Sequence, residues 1–291
     1  MQLFSERIIN LWNKCEVRVI ILLSLVLQTI LIIFGNRRKL TNRVWIKIIV
    51  WCAYLSADWV ATVALGNLAS IIGDSKDSTP IPNNALQEFW APFLILHLGG
   101  PDTITAFSLA DNELCLRHFL GLIIQVGVAF YVFFRSWGNT ALTFLTIPIF
   151  ISGVIKYGKK TYVLWSSSSE QSKILCRQNE TLDEKERKCI HSIIKNKHNA
   201  KEAFKWVAVE LGLMYDVLYT KAAIVYSHLG IVLRCITVFS YISASVVFST
   251  IIDTNVYPLT DISVTYLLLV WAAHLELYAL ILLLLSDWAK L

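Results

Sequence analysis

Residues 17–34 read VRVIILLSLVLQTILIIF, an apolar run whose polar members are Arg18, Ser24, Gln28 and Thr29. A helix needs about 20 mostly apolar residues to cross the roughly 30 Å of hydrocarbon in a bilayer. The run therefore predicts a membrane-spanning helix, and this prediction decides the class of the whole fold.

A basic segment, Gly35-Asn36-Arg37-Arg38-Lys39, follows this run directly. A cleaved signal peptide has a shorter apolar core and ends in a small-residue cleavage site. The sequence has instead the pattern of a stop-transfer segment, so we expect the first helix to be retained.

The composition agrees with a membrane protein. Of the 291 residues 56% are hydrophobic and only 16% are charged, whereas soluble domains carry about 25% charged residues. The six cysteines form no CxxC pair, which argues against a zinc site or a disulfide scaffold. The net charge of +5 is modest. We therefore expect the lipid bilayer as a partner, no nucleic acid, no metal and no other cofactor.

Further apolar runs predict an all-α, polytopic transmembrane helical bundle. A tight turn at 135–139 makes two of the predicted helices an antiparallel hairpin. The predicted helices after the first cover 44–72, 118–134, 140–155, 229–252 and 262–285.

The number of crossings depends on a shorter apolar segment at 86–98, which reaches only about 20 Å as a helix. This segment either crosses the membrane or re-enters from one side. Lys and Arg favour cytoplasmic flanks, and the basic flanks are 37–43 and 156–160. Both flanks are cytoplasmic if the chain crosses seven times, with its N-terminus outside and its C-terminus inside. Six crossings are the alternative.

Three regions follow from this pattern. An N-terminal transmembrane region covers 1–165, a charged cytoplasmic insert covers 166–205, and an interfacial helix with a C-terminal transmembrane hairpin covers 206–291. We expect the four serines at 166–169 to be flexible. The spacing of Thr181 and Glu184 is that of a helix-capping box. The insert is the expected binding surface for a cytoplasmic protein partner.

Several strings resemble one protein family. They are ADWVAT at 57–62, WAPF at 90–93, HLGGPDTITA at 97–106, DNEL at 111–114, LRH at 116–118, RSW at 135–137, IKYG at 155–158 and LYTKA at 218–222. Together they resemble the plant membrane-protein family called domain of unknown function 4220. The resemblance covers most of the chain. It implies a short or truncated member of the family and assigns no activity, substrate or catalytic residue.

Ionisable side chains at membrane depth are costly, so they are candidates for function. Asp58 lies within the second helix, His97 ends the short segment, and His274 and Glu276 lie within the last helix. The alternative role for each is packing, through a polar contact with a neighbouring helix.

The segment 90–118 carries the other candidates. Pro92 is expected to break a helix, and Gly99-Gly100-Pro101 forces a turn in which glycine supplies a positive φ or close backbone approach. Asp102 is expected to cap a following helix. A structural turn is the alternative. The remaining candidate polar residues of this segment are Glu113, Arg117 and His118.

These candidates favour a non-enzymatic protein, either a transporter or channel or a membrane scaffold. An alternative is an intramembrane metal-dependent hydrolase that gathers Asp58, His97, His118 and His274 around zinc. No HExxH spacing supports the hydrolase. A pathway should place Asp58, His97 and the glycine turn around one hydrated cavity, whereas a scaffold should enclose them. No signal in the sequence identifies which membrane holds the protein.

Overall fold

The computed structural model describes residues 2–35, 37–41, 43–74, 86–135, 141–181, 200–225, 227–251 and 257–284. All regular elements in these residues are α-helices. They are α1 (Gln2–Gly35), α2 (Arg37–Leu40), α3 (Val44–Asp74), α4 (Ala91–Leu98), α5 (Leu109–Glu113), α6 (Cys115–Arg135), α7 (Ala141–Thr181), α8 (Ala200–Tyr219), α9 (Ala222–Val225), α10 (His228–Ile251) and α11 (Leu259–Leu284).

Six of these helices are long and apolar enough to cross a membrane. Their outward faces carry large exposed apolar side chains such as Trp59, Leu116 and Phe239, as expected where lipid is the solvent. The protein is therefore an all-α, multi-pass integral membrane protein, as predicted. The candidate spans among the described residues are Glu16–Gly35, Val44–Gly73, Cys115–Arg135, Leu142–Ser168, His228–Thr250 and Leu259–Ile281.

The short helix α4 lies at the centre of the bundle, and all eight of its residues are buried. Pro92 occupies the first turn of this helix, where its missing N–H and fixed φ are tolerated. A turn at 89–90 separates a helical stretch at 86–88 from α4, so the expected break is present and lies immediately before the helix that Pro92 begins.

The two ends of this short segment contact different helices. Trp90 Nε1 donates a hydrogen bond to Thr265 Oγ1 (2.9 Å), close to the beginning of α11. At the other end of the segment, the carbonyl of Leu98 accepts a hydrogen bond from Lys160 Nζ, at the middle of α7. The number of crossings, seven or six, stays a prediction.

Two apolar clusters hold the bundle together. The larger surrounds α4 and the residues just before it, where Phe89, Trp90 and Phe93 are buried against the long helices. The smaller packs Ile104 against the α1–α3 hairpin, next to Ala57. The loop that follows α4 is thereby held against the bundle.

Helix α7 is much longer than predicted. The sequence predicts a helix over 140–155 and flexible serines at 166–169, but one helix of 41 residues runs from Ala141 to Thr181, about 60 Å. Serine costs a helix only a few tenths of a kcal/mol, and Ser167 is buried and donates a hydrogen bond to Val217 O (3.0 Å). The capping box that follows Thr181 lies outside the described residues.

The mixed apolar and charged residues of 200–226 predict one interfacial helix, but the structure divides this stretch. Helix α8 ends at Tyr219, and α9 begins at Ala222. Tyr219 O accepts a hydrogen bond from Thr105 N (2.9 Å), and Lys221 N donates one to Asp102 O (3.2 Å). These two bonds join the break in the helix to the loop after α4, so packing against that loop replaces helical continuity. The interfacial position of α8 stays a prediction.

Candidate functional site

Two lysines meet the carboxyl end of α4. Lys221 is completely buried, and its Nζ donates to Gly99 O (2.8 Å) and Gly100 O (2.9 Å). Lys160 Nζ donates to Leu98 O (3.2 Å). The last carbonyls of a helix lack partners within the helix, and cations there also complement the helix dipole. The lysines thereby satisfy the end of a buried helix.

The two glycines of the turn are required for different reasons. A Cβ on Gly99 would lie 2.9 Å from Lys156 C and from Tyr157 N, both backbone atoms of α7. Gly100 has a φ of +63°, which side chains disfavour. The predicted need for close approach or a positive φ is therefore confirmed at this turn.

Asp102 forms ion pairs and does not cap a helix. Its carboxylate lies 3.4 Å from Lys221 Nζ and also pairs with Arg234. The next helix, α5, begins only at Leu109 and is capped by Ser108. The predicted capping role is wrong, because two buried cations require the carboxylate as a counterion.

Asp58 joins α3 to α7. Both of its carboxylate oxygens accept hydrogen bonds from Lys160 Nζ, at 2.9 and 2.7 Å. The Lys160 side chain is only 4% exposed and that of Asp58 is 37% exposed, so the pair reaches the protein surface on the Asp58 side. Lys160, predicted as a basic flank of the membrane, lies in the interior instead.

His274 and Glu276 have unlike surroundings although both lie on α11. Glu276 is buried and its Oε1 accepts a hydrogen bond from Lys156 Nζ (2.6 Å). His274 is exposed, and its Nδ1 lies 2.8 Å from Val270 O on the preceding turn of the same helix. Glu276 therefore links α11 to α7, whereas His274 belongs to an outward face.

His97 binds α4 to α1. Its Nδ1 lies 2.9 Å from Ser24 Oγ, and Gln28 Nε2 donates to its backbone carbonyl (2.7 Å). His97 is 4% exposed. The polar residues that interrupt the first apolar run are thus the partners of α4.

The remaining candidates lie at the end of α5 and in the first turn of α6. Glu113 and Arg117 are exposed. His118 is half-buried, and its buried Nε2 makes no hydrogen bond within the part of the chain that the structure describes. In those residues no three His, Cys, Asp or Glu side chains are grouped so that they could hold a metal ion. The grouping on which the hydrolase alternative depends is therefore missing from the described residues.

We use the name ion-pair belt for the buried charges around the carboxyl end of α4. The belt joins α3, α7, α10 and α11 to the loop that follows α4. Its members are Asp58, Asp102, Lys156, Lys160, Lys221, Arg234 and Glu276.

Two members of the belt, Lys221 and Arg234, were not predicted from the sequence. Arg234 interrupts the apolar run at 229–252, so its position at membrane depth was a usable signal. Lys221 follows a helix read as interfacial, and only its contacts reveal that it enters the core. Burial lowers the pKa of Lys221, and the charges of Lys156 and Lys160 lower it further, whereas its oxygen contacts favour the charged form.

Another ion pair lies at the opposite end of the bundle. Arg18 Nε and Nη2 donate to the two carboxylate oxygens of Asp261, at 2.6 and 3.0 Å. Paired hydrogen bonds of this geometry fix orientation as well as distance. The first and last spanning helices, α1 and α11, are thereby joined to each other.

Comparison with known proteins gives one result. No curated protein and no solved structure matches this chain. The sequence profile of one family matches residues 51–189 and again 174–291, which together make up most of the chain and include the belt from Asp58 to Glu276. The chain belongs to the family described as Domain of unknown function (DUF4220).

Proposed function

We propose that this protein is a non-enzymatic membrane scaffold whose cytoplasmic face binds a protein partner. The observation that carries the proposal is the enclosure of the glycine turn and His97. Gly99 and Gly100 are buried and their carbonyls are held by Lys221, and His97 lies against Ser24. A scaffold should enclose these groups, whereas a pathway should expose them to water.

The distribution of ion pairs also supports a rigid bundle. Arg18 and Asp261 join α1 to α11 at one end. At the other end Lys160 joins α7 to α3, and Lys156 joins α7 to α11. Transporters that alternate between two faces move one group of helices against another, and these pairs oppose such movement.

The partner surface is proposed for the segment that follows the membrane. Helix α7 continues from the end of its candidate span at Ser168 to Thr181. The segment 166–205 contains nine Lys or Arg and six Asp or Glu, a mixed charge suited to polar contacts with a soluble protein rather than to burial.

Photocrosslinking in native membranes tests the proposal. A photoreactive residue would replace Glu184 in the insert or, as a matched control, Phe239 on the apolar outer face of α10. We expect the photoreactive residue at position 184 to give a discrete protein adduct that is lost when 185–199 is replaced by a Gly-Ser linker of equal length. Phe239 should crosslink to lipid.

A flux assay tests the scaffold against a transporter, because a scaffold should carry no solute across the membrane. A transporter remains the second candidate because Asp58 is the member of the belt that reaches the surface at membrane depth. Purified protein in liposomes should pass sodium, potassium, chloride and small organic solutes no faster than empty liposomes. Flux above that background that is abolished by Asp58→Asn would replace the scaffold with a pathway.

A further inference from the structure

We propose that the oxygen atoms at the carboxyl end of α4 form a binding site for a monovalent, ammonium-like cation, and that Lys221 supplies the resident cation. Three oxygens surround its Nζ: Gly99 O at 2.8 Å, Gly100 O at 2.9 Å and Asp102 Oδ1 at 3.4 Å. An ammonium group has three N–H donors. Donors and acceptors therefore match in number, with two neutral oxygens and one charged oxygen.

Contacts other than those of the Lys221 side chain also hold these oxygens in place. Gly99 packs directly against the backbone of α7 at Lys156 and Tyr157, which fixes the turn from one side. The positive φ of Gly100 sets the direction of the chain after the helix. Arg234 pairs with Asp102 and holds the carboxylate from another side. Removal of the Lys221 side chain would therefore leave an assembled group of oxygens.

A cation is the ligand that this group of oxygens favours. The carboxyl end of a helix carries about half a negative charge from its unpaired carbonyls, and Asp102 adds a full one. In membrane proteins the carboxyl ends of broken helices coordinate cations in the same way. A buried position also makes unpaired carbonyls costly, so a small cation gains by entering.

The surrounding charges restrict the ligand to a single charge. Lys156, Lys159 and Lys160 of α7 repel a cation at this position, and Glu276 of α11 attracts it. Arg234 of α10 adds a further positive charge. A divalent ion would meet twice the repulsion from this positive surplus, so a monovalent cation is expected.

Truncation of the lysine gives a direct test. Lys221→Ala removes three carbons and the ammonium group, which n-propylammonium replaces in size and charge. The purified variant would be heated in detergent with n-propylammonium chloride, and the unfolding midpoint followed by fluorescence-detected size exclusion. We expect the midpoint to rise toward that of the wild type in a saturable manner, while the wild-type midpoint does not change.

Three controls separate a site from a general effect of the additive. Choline chloride tests ionic strength with a cation too large for the space, and 1-propanol tests the apolar chain without charge. Neither should raise the midpoint of Lys221→Ala. A variant at the opposite ion pair, Arg18→Ala, should lose stability without specific recovery in n-propylammonium. Equal recovery with choline or 1-propanol would overturn the proposal.

The proposal stays testable if Lys221→Ala folds poorly. Extraction in the presence of n-propylammonium should then increase the yield of monodisperse protein relative to extraction in choline. The double variant Lys221→Ala/Asp102→Asn lacks the charged oxygen and should show no increase. No difference between the two cations in either assay would exclude a cation site. The result is independent of partner binding, since neither assay involves a partner or a flux.

Discussion

At the scale of single residues, substitution of Gly99 tests whether the close approach of the glycine turn to α7 requires a residue without a side chain. Gly99→Ala should destabilise the protein by about 1–3 kcal/mol, the usual cost of overpacking, because its Cβ would meet the α7 backbone at 2.9 Å. Gly66→Ala is the matched control, since a Cβ there meets nothing within 4 Å and alanine favours a helix. Thermal unfolding of the two variants should differ clearly, and equal midpoints would contradict the packing argument.

Asp102 separates two roles that a sequence cannot distinguish. A capping aspartate is replaced by serine with little loss, but an ion-paired one is not. Because Asp102 pairs with Lys221 and Arg234, we expect Asp102→Ser to be as unstable as Asp102→Ala. Each should lose about 3–5 kcal/mol, as when one partner of a buried pair is removed. Recovery with serine in an unfolding assay would restore the capping role.

The difference between these positions explains which residue roles the sequence could predict. The need for glycine at 99 and 100 is local, because two glycines before a proline at the end of a helix limit the backbone by themselves. The partners of Asp102 lie more than 100 residues away, at Lys221 and Arg234. No spacing near Asp102 indicates them, so the local pattern suggested a cap.

At the scale of elements, the contact between α3 and α7 rests on Asp58 and Lys160. Asp58→Leu leaves Lys160 buried without its counterion and should cost about 3 kcal/mol or more. The double variant Asp58→Leu/Lys160→Met removes both charges and should regain most of the loss. A double-mutant cycle of unfolding midpoints measures the coupling. Additive effects would mean that the two side chains do not interact.

Hydrophobic runs predicted the helices well where the outer face of a helix contacts lipid. They predicted the helices poorly where a helix is surrounded by other parts of the protein. The runs at 17–34 and 44–72 correspond to α1 and α3 because their outer faces require apolar residues. The extension of α7 through 166–169 was missed, because polar residues there suggested a loop. This extension of α7 is stabilised by Ser167, whose hydroxyl donates a hydrogen bond to Val217 O of α8, a helix distant in sequence.

At the scale of the whole molecule, orientation in the membrane gives a further prediction. Asn179-Glu180-Thr181 is the only glycosylation sequon in the chain, and a cytoplasmic insert leaves it bare. The predicted orientation, with the N-terminus outside and 37–43 cytoplasmic, puts the loop after α3 outside, so a cysteine introduced there by Asp77→Cys should react with a membrane-impermeant maleimide on intact cells. The wild-type protein gives the background from its own cysteines. A glycan on Asn179, or no labelling beyond background, would reverse the orientation.

The lysines of α7, which contributed to the predicted orientation, have a second role in the whole molecule. Lys156 and Lys160 were read as a basic flank, yet they pair with Glu276 and Asp58 inside the belt. A count of positive residues cannot separate a solvated flank from buried pairs. The segment around Arg37 and Arg43, which are exposed, therefore carries more of the topological signal than the lysines of α7.

The length of α7 gives the bundle a mechanical property. Proline weakens a helix where it stands, and Pro148 lies inside α7, 33 residues before Thr181. The part of α7 that follows Pro148 is about 50 Å long. A change of about 10° in the direction of the helix at the proline would move its far end by roughly 9 Å. Lys156 and Lys160 bind α7 to its neighbours close to this proline. Loss of either pair would therefore let a small change of angle become a large displacement at Thr181.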